Sequence, residues 1–347
     1  MTSEKKHERF MRSALAEARK SIGQTSPNPA VGAVLVVGNR IVARGHHRGA
    51  GFPHAEIECL RTFRRKVPKN ATLYVTLEPC STRGRTGACT DEIIPAGVNS
   101  VVIGATDPNP RHRGRGIEIL RSAGIEVRAG VLAEECAALN ESFNKWIATG
   151  IPFVIAKCGM SLDGRLTRPS CEGRWITSAT ARKHAQALRA ESDAILVGAE
   201  TVRMDNPHLT VRGGRNFRQP IRVVITRFGN LPRRARIFID RQAKNTLVYR
   251  NEPMAAVLAE LGKKNVVSVI IEGGGNVLGH ALDQRLIDKV QIYIAPIFTG
   301  GGVPAFAGDG ARSTSESARL ERVRFEKIGP DLCLTGYPKY AALGSTE

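Results

Sequence analysis

PHAEIECLRTFRRKVPKNATLYVTLEPCSTRGRTGAC, residues 53–89, carries the densest chemistry in the chain. A helical run from about Ala55 to Arg64 leads into ATLYVTL at 71–77, a β-branched and aromatic strand, and a second helix opens at Cys89. Strand alternating with helix on this scale predicts a layered α/β sandwich. His54, Cys80 and Cys89 supply one imidazole and two thiols, three of the four ligands of a tetrahedral zinc. Three protein ligands and an open fourth position mark a catalytic zinc, whereas structural sites are closed. His54 and Cys89 both stand where a helix begins, and helix N-termini, like the metal, favour thiolate over thiol. Glu56 lies two residues past His54, about 200° around a helix. It is therefore placed to carry a proton beside the metal without sharing in ligation. A structural zinc is the alternative, against which stand the three visible ligands and the spare carboxylate.

Residues 3–22 read as a helix with Phe10, Met11, Ala14, Leu15 and Ala18 on its apolar face, and Gly23 as its stop. In SPNPAVGAVLVVGNRIVARG, two β-branched runs flank Gly38-Asn39-Arg40, which predicts a hairpin. After Cys89 the pattern predicts a helix, a strand at 100–107, a short helix near 115–122, a strand at 125–127 and one long helix from about 132 to 147. These elements imply a largely parallel central sheet. Thr149-Gly150-Ile151-Pro152 is a break with turn chemistry, dividing residues 1–149 from 150–347. The second half alternates again: PFVIAKCGM, a helix over 179–190, strands at 193–198, 221–226, 245–250 and 266–274, a helix over 277–285, VQIYIAPIFTG and a closing hairpin.

With 347 residues there is length for two domains, each with its own core. A hydrophobic content of 42% and a charged content of 24% are those of a soluble globular chain, and no apolar run nears the ~18 residues of a membrane span. MTSEKKHERF lacks an apolar export signal, and seven cysteines, an odd number, imply reduced thiols in the cytoplasm. Cys59, Cys136, Cys158, Cys171 and Cys333 read as packing residues. The net charge of +19 suits nucleic acid, a membrane surface or phosphorylated small molecules. Scattered arginines and 5% aromatics weigh against a stacking platform for single strands.

His-x-Glu followed by Pro-Cys and a second Cys is the signature of zinc nucleobase deaminases. SPNPAVGAVLVVGNRIVARGHHRGAGFPHAEIECL, TLEPCSTRGRTGAC and TDPNPRHRGRGIEILRSAGIEV resemble the deaminase half of the bifunctional riboflavin-biosynthesis deaminase/reductase family. Eight residues separate the two cysteines here, where nucleic-acid and nucleoside deaminases typically have two. The resemblance implies a cytidine-deaminase-like α/β/α sandwich, with His54, Cys80 and Cys89 as zinc ligands and Glu56 as proton donor. It also implies Asn28 and His47 as substrate contacts. Arg83, with Arg85, is a candidate by its own chemistry to grip the substrate phosphate by bidentate hydrogen bonds, the alternative being a pair of solvent-facing loop arginines. The implied substrate is a phosphorylated pyrimidine, a diaminopyrimidinone bearing a 5-phosphoribosylamino group. Thr82-Arg83 and Gly87-Ala88 depart from the histidine and proline pairs usual in the family.

KCGMSLDGRLT, GRWITSATARKHAQALRAESDAILVGAETVRMDNPHLTVR and VIIEGGGNVLGHALDQRLIDKVQIYIAPIFTGG resemble the reductase half, whose fold is like dihydrofolate reductase. The resemblance spans roughly residues 8–338, in the family's order. It implies NADPH contacts at Gly159, Trp175, Thr201 and Asp205, and along the turn Gly274, Gly275, Asn276, Val277, Leu278, Gly279 and His280. Implied substrate contacts are Arg189, Asp205, Leu209, Arg212 and Glu272. Glycines between a strand and a helix admit a phosphate to the helix N-terminus. Gly173 and Thr226 depart from a family serine and aspartate.

The expectation is thus a two-domain cytoplasmic enzyme using Zn²⁺ and NADPH, without nucleic-acid or membrane partners, working as a homo-oligomer. The rival readings are a tRNA deaminase with an appended interaction domain, and a catalytically lapsed binding module.

Overall fold

The computed structural model describes residues 2–82, 87–110, 112–167, 175–212 and 218–341. The chain forms two compact units, Met1–Gly150 and Ile151–Glu347. No helix among the described residues is long and apolar enough to cross a membrane.

The first unit runs α1 (Ser3–Arg19), β1 (Gly32–Val37), β2 (Arg40–His46), α2 (Ala55–Phe63), β3 (Ala71–Leu77), α3 (Cys89–Ala96), β4 (Ser100–Ala105), α4 (Arg115–Ser122), β5 (Glu126–Ala129), α5 (Ala133–Leu139) and α6 (Glu141–Thr149). Its sheet has the order β2-β1-β3-β4-β5. The expected largely parallel sheet is instead mixed: β2–β1 and β1–β3 pair antiparallel, β3–β4 and β4–β5 parallel. The Gly38-Asn39 turn is too short for a crossover, so β2 must fold back antiparallel on β1.

Two glycines let helices close on opposite faces of this sheet. A Cβ at Gly32 would overlap the Ala14 carbonyl and the Ala18 nitrogen of α1, and one at Gly45 would overlap the Ala55 carbonyl and the Cys59 nitrogen of α2. Since Gly45 pairs with Ala33, not Gly32, α1 and α2 lie on different faces. Phe10, Met11 and Leu15 of α1 are fully buried, each contributing roughly 1.5–3 kcal/mol by leaving water. The expected single helix over 132–147 is broken at Asn140, which has φ −116° and ψ 28°. Its carboxamide accepts from the Ala30 N–H (2.8 Å) and donates to the Ala30 carbonyl (2.9 Å). Such side-chain competition for backbone groups is why asparagine ends helices.

The second unit runs β6 (Phe153–Ser161), α7 (Ala179–Glu191), β7 (Ala194–Gly198), α8 (Ala199–Asp205), β8 (Ile221–Thr226), α9 (Arg236–Ile239), β9 (Thr246–Arg250), α10 (Met254–Lys263), β10 (Ser268–Ile271), α11 (Gly275–Asp283), β11 (Lys289–Ala295), β12 (Arg319–Ile328) and β13 (Asp331–Lys339). The sheet order is β12-β13-β11-β6-β10-β7-β8-β9. The six strands from β11 to β9 are parallel, and the β12–β13 hairpin adds antiparallel to β11. Strands β6, β7 and β10 are almost wholly apolar, as strands covered on both faces must be. The pattern did not foretell α8 and α10; α8 puts Thr201 on a helix.

Candidate active sites

His54 is the N-cap of α2, with φ −70° and ψ 164°, and its ring makes no capping hydrogen bond. Cys80 lies three residues beyond β3, and Cys89 is the first residue of α3. Tertiary structure closes the separation between them. His54 Nδ1 stands 3.1 Å from Cys89 Sγ and 3.5 Å from Cys80 Sγ, and the two sulfurs are 3.4 Å apart. Ordinary tetrahedral zinc bonds set N–S and S–S spacings of about 3.6–3.8 Å, so a modest outward relaxation of three side chains accommodates the ion. One nitrogen and two sulfurs are a donor set for zinc and not for magnesium or calcium. Among the described residues no other such group of ligand atoms converges this closely.

Hydrogen bonds from Cys89, and then from His54, draw the Cys80 thiol down to about 4. The partnership with Cys80 pushes Cys89 up and raises His54. Glu56, on the first turn of α2, is 3% exposed. Burial pushes its carboxyl up, against the pull of His54 and a hydrogen bond with Cys89. A buried carboxyl beside the metal ligands is placed to take and return a proton. Cys80→Ser removes one of the two sulfurs and the thiol acceptor of the Cys89 N–H (3.3 Å). The expected result is zinc content well below one per chain by metal analysis; an undiminished content would exclude Cys80 as a ligand.

A cavity of about 240 Å³ opens on this cluster, lined by Asn28, His47, His54, Glu56, Glu78, Cys80, Asp107, Asn109, His112 and Phe143, among others. Buried His47 donates from Nδ1 to the Pro53 carbonyl (3.1 Å) and accepts at Nε2 from the Asn28 amide (3.0 Å). Burial lowers its pKa, keeping the ring neutral and its tautomer defined. Asn28 and His47 thus stand together at the cavity. Arg83 and Arg85 lie outside the described residues.

Asp107, Asn109 and His112 also line the cavity, and residue-by-residue reading gave them no role. The signal was TDPNP, a turn directly after parallel strand β4, where α/β sheets place ligand contacts. Burial raises the Asp107 carboxyl, which accepts from the Asn109 N–H at 2.8 Å. Among the described residues, buried His112 Nδ1 has no hydrogen-bond partner.

In the second unit, Gly159 lies on β6, Glu272 directly follows β10, Arg189 lies on α7, and Thr201 and Asp205 lie on α8. Arg189 of α7 holds Glu272 in a bidentate pair, 2.6 Å from Nε to Oε1 and 2.7 Å from Nη2 to Oε2. The side chains are 14% and 8% exposed. Burial alone would raise the Glu272 carboxyl; Arg189, then Lys157, outweigh it and hold it at about 2. Lys157 Nζ lies 3.9 Å from Glu272 and 5.9 Å from the Tyr293 ring centre. Sequence reading missed Lys157, though it is the one charged residue in PFVIAKCGM.

Gly274 is the N-cap of α11, and its N–H donates to the Thr201 hydroxyl at 3.2 Å. A Cβ at Gly274 would meet the Thr201 hydroxyl at 3.8 Å, an ordinary contact, but Gly275 and Gly279 have a tighter cause. A Cβ at Gly275 would overlap the Pro304 carbonyl, and one at Gly279 the backbone of Ala307 and Gly308. Leu278 is buried in the core, Val277 is half-buried, and Asn276 and His280 are exposed. A Cβ at Gly159 would press on Thr177 at 3.0 Å. Trp175 is 47% exposed, with the Arg182 guanidinium 4.8 Å over its ring. Asp205 closes α8, and Leu209 is buried with Val197 and Val202. The Arg212 N–H donates to Gln186 Oε1 at 3.3 Å. The Thr226 hydroxyl accepts from the Gly229 N–H at 3.0 Å. Gly173 lies outside the described residues.

Comparison with known proteins matches residues 4–105 to the cytidine and deoxycytidylate deaminase zinc-binding region and residues 152–334 to the RibD C-terminal domain. Riboflavin biosynthesis protein RibD of Aquifex aeolicus is 38% identical, covering 94% of this chain and 96% of that protein. The Escherichia coli protein of the same name is 37% identical, with 94% and 98% covered. Among solved structures, Acinetobacter baumannii RibD aligns with a TM-score of 0.90 at 34% identity, over 97% of this chain and all of that one (100%). A Thermotoga maritima diaminohydroxyphosphoribosylaminopyrimidine deaminase/5-amino-6-(5-phosphoribosylamino)uracil reductase aligns at 0.87 and 34%, with 97% and 100% covered.

Proposed function

The chain belongs to the RibD family of riboflavin-biosynthesis proteins, and on that footing we propose that it deaminates and then reduces one phosphorylated pyrimidine. The first substrate is 2,5-diamino-6-(5-phosphoribosylamino)pyrimidin-4(3H)-one, which loses its ring amine to water in residues 1–149. The second step, in residues 150–347, reduces the ribosyl group to ribityl with NADPH. Relatives matching both halves at full length favour this reading over a tRNA deaminase with an appended domain.

The observation that carries the proposal is the convergence of His54, Cys80 and Cys89 with Glu56 buried against Cys89. Those three residues would hold the zinc, which when bound acidifies a water near neutral pH. Glu56 takes the proton of the attacking water and returns it to the departing amine. Asn28, fixed by His47, presents its carboxamide to the pyrimidine. In the second unit NADPH supplies hydride, and the glycine-rich N-terminus of α11 receives a cofactor phosphate. Arg189 and Arg212 take the sugar phosphate, and Glu272 holds the Arg189 fork in place.

Purified protein incubated with the diaminopyrimidine should replace the ring amine by oxygen, and should add two hydrogens only when NADPH is present, both read by mass. Unchanged substrate rejects the reading. NADPH at about 100 times its Kd should stabilise its unit by about 2.7 kcal/mol, lifting a domain of this size by about 5–10 °C. No shift at saturation removes NADPH from this account.

A further inference from the structure

Glu78 stands two residues before Cys80, outside the metal-ligand set. It is 4% exposed, and its carboxylate accepts four backbone N–H groups. Oε2 takes those of Asp107 (3.1 Å) and Gly114 (3.0 Å); Oε1 takes those of Gly116 (3.0 Å) and Ile117 (3.4 Å). Helix α4 has Gly114 as its N-cap and no side-chain capping bond of its own, so Glu78 satisfies N–H groups that would otherwise be orphaned. One carboxylate thereby ties the turn that presents Cys80 to the segment carrying Asp107, Asn109 and His112. All of these residues line the same cavity. The seam is tight from the other side too. A Cβ at Gly116 would overlap the Pro79 carbonyl and press within 3.3 Å of Glu78 Cγ and Oε1.

We propose that Glu78 is a positioning residue for deamination, setting the distance between the metal centre and the Asp107–His112 wall against which the pyrimidine substrate is oriented. The inference rests on the deaminase reading of the first unit. The residue leaves the metal alone: its two oxygens are spent on the four N–H groups, and Cys80 receives its own contacts from Cys89 and His54. Among the described residues between β4 and α4 the wall has no helix or strand, and this carboxylate ties it to the site through Asp107 and Gly114.

Glu78→Gln keeps the side-chain length but turns one acceptor into a donor facing two N–H groups. The variant should raise KM for deamination about 10- to 100-fold, with kcat within about threefold of wild type. Zinc should stay at one per chain, NADPH-dependent reduction should be unchanged, and amide exchange should quicken at 107–117. A purely structural role would instead lower kcat through a smaller folded fraction and leave KM alone, and that outcome overturns the proposal, as does unaltered kinetics. Should Glu78→Gln not fold, Gly116→Ala opens the same seam from α4 and must show the same KM effect. Wild-type protein without deaminase turnover defeats the functional reading; a working wild type with unmoved KM in the variants defeats this inference alone.

Discussion

Glu56→Gln lowers deaminase turnover by about 10²–10⁴-fold while zinc content stays at one per chain and NADPH-dependent reduction continues. The change preserves shape: the side chain is buried, and glutamine fills the same volume without opening a cavity. Only the ionisable carboxyl is lost. Burial raises the Glu56 carboxyl, and the hydrogen bond with Cys89 keeps it beside the metal ligands. An amide in that position neither takes the proton of water nor hands one to a departing amine. The reductase reaction of the same chain, assayed on deaminated substrate, serves as the internal control. Deamination at wild-type rates would remove Glu56 from the mechanism, and joint loss of zinc would make it a structural residue.

Glu272→Gln destabilises the reductase unit by about 3–5 kcal/mol, measured by urea unfolding, and abolishes reduction while sparing deamination. The cost arises because Arg189 stays buried and charged after its partner is neutralised. Replacing Arg189 and Glu272 together by methionine should restore much of the stability, since an apolar pair leaves no uncompensated charge, but should not restore reduction. The same pair sets an acid limit. The Glu272 carboxyl sits at about 2, below its ordinary 4.5. Its contribution is therefore full above about 4.5 and is lost as pH falls from there toward 2. Glu272→Gln should flatten that acid loss. Equal stability of wild type and Glu272→Gln at neutral pH would mean that the pair is solvated.

Much of this was legible in the chain. Alternating β-branched runs placed β3 at 71–77, and an apolar face placed α1. The convergence of His54, Cys80 and Cys89 was legible because this set of residue types at that spacing has few alternative uses. The long helix expected over 132–147 was not, because its break at Asn140 depends on Ala30, 110 residues away in sequence. Lys157 escaped notice for a related reason: a charge inside an apolar strand acquires meaning only when Glu272 is brought beside it.

The sequence by itself determined most of the strands, the helices α1, α2, α3, α4, α7 and α11, and the inventory of ligands and carboxylates, because these follow from local periodicity and side-chain chemistry. Tertiary structure alone decided that His54 faces the sulfurs through Nδ1 and that Glu78 spends its carboxylate on a distant loop. It also decided that Gly275 and Gly279 are glycines because backbone passes against them. Those outcomes depend on which distant atoms pack within a few ångströms, and a one-dimensional pattern carries no distances between segments far apart along the chain.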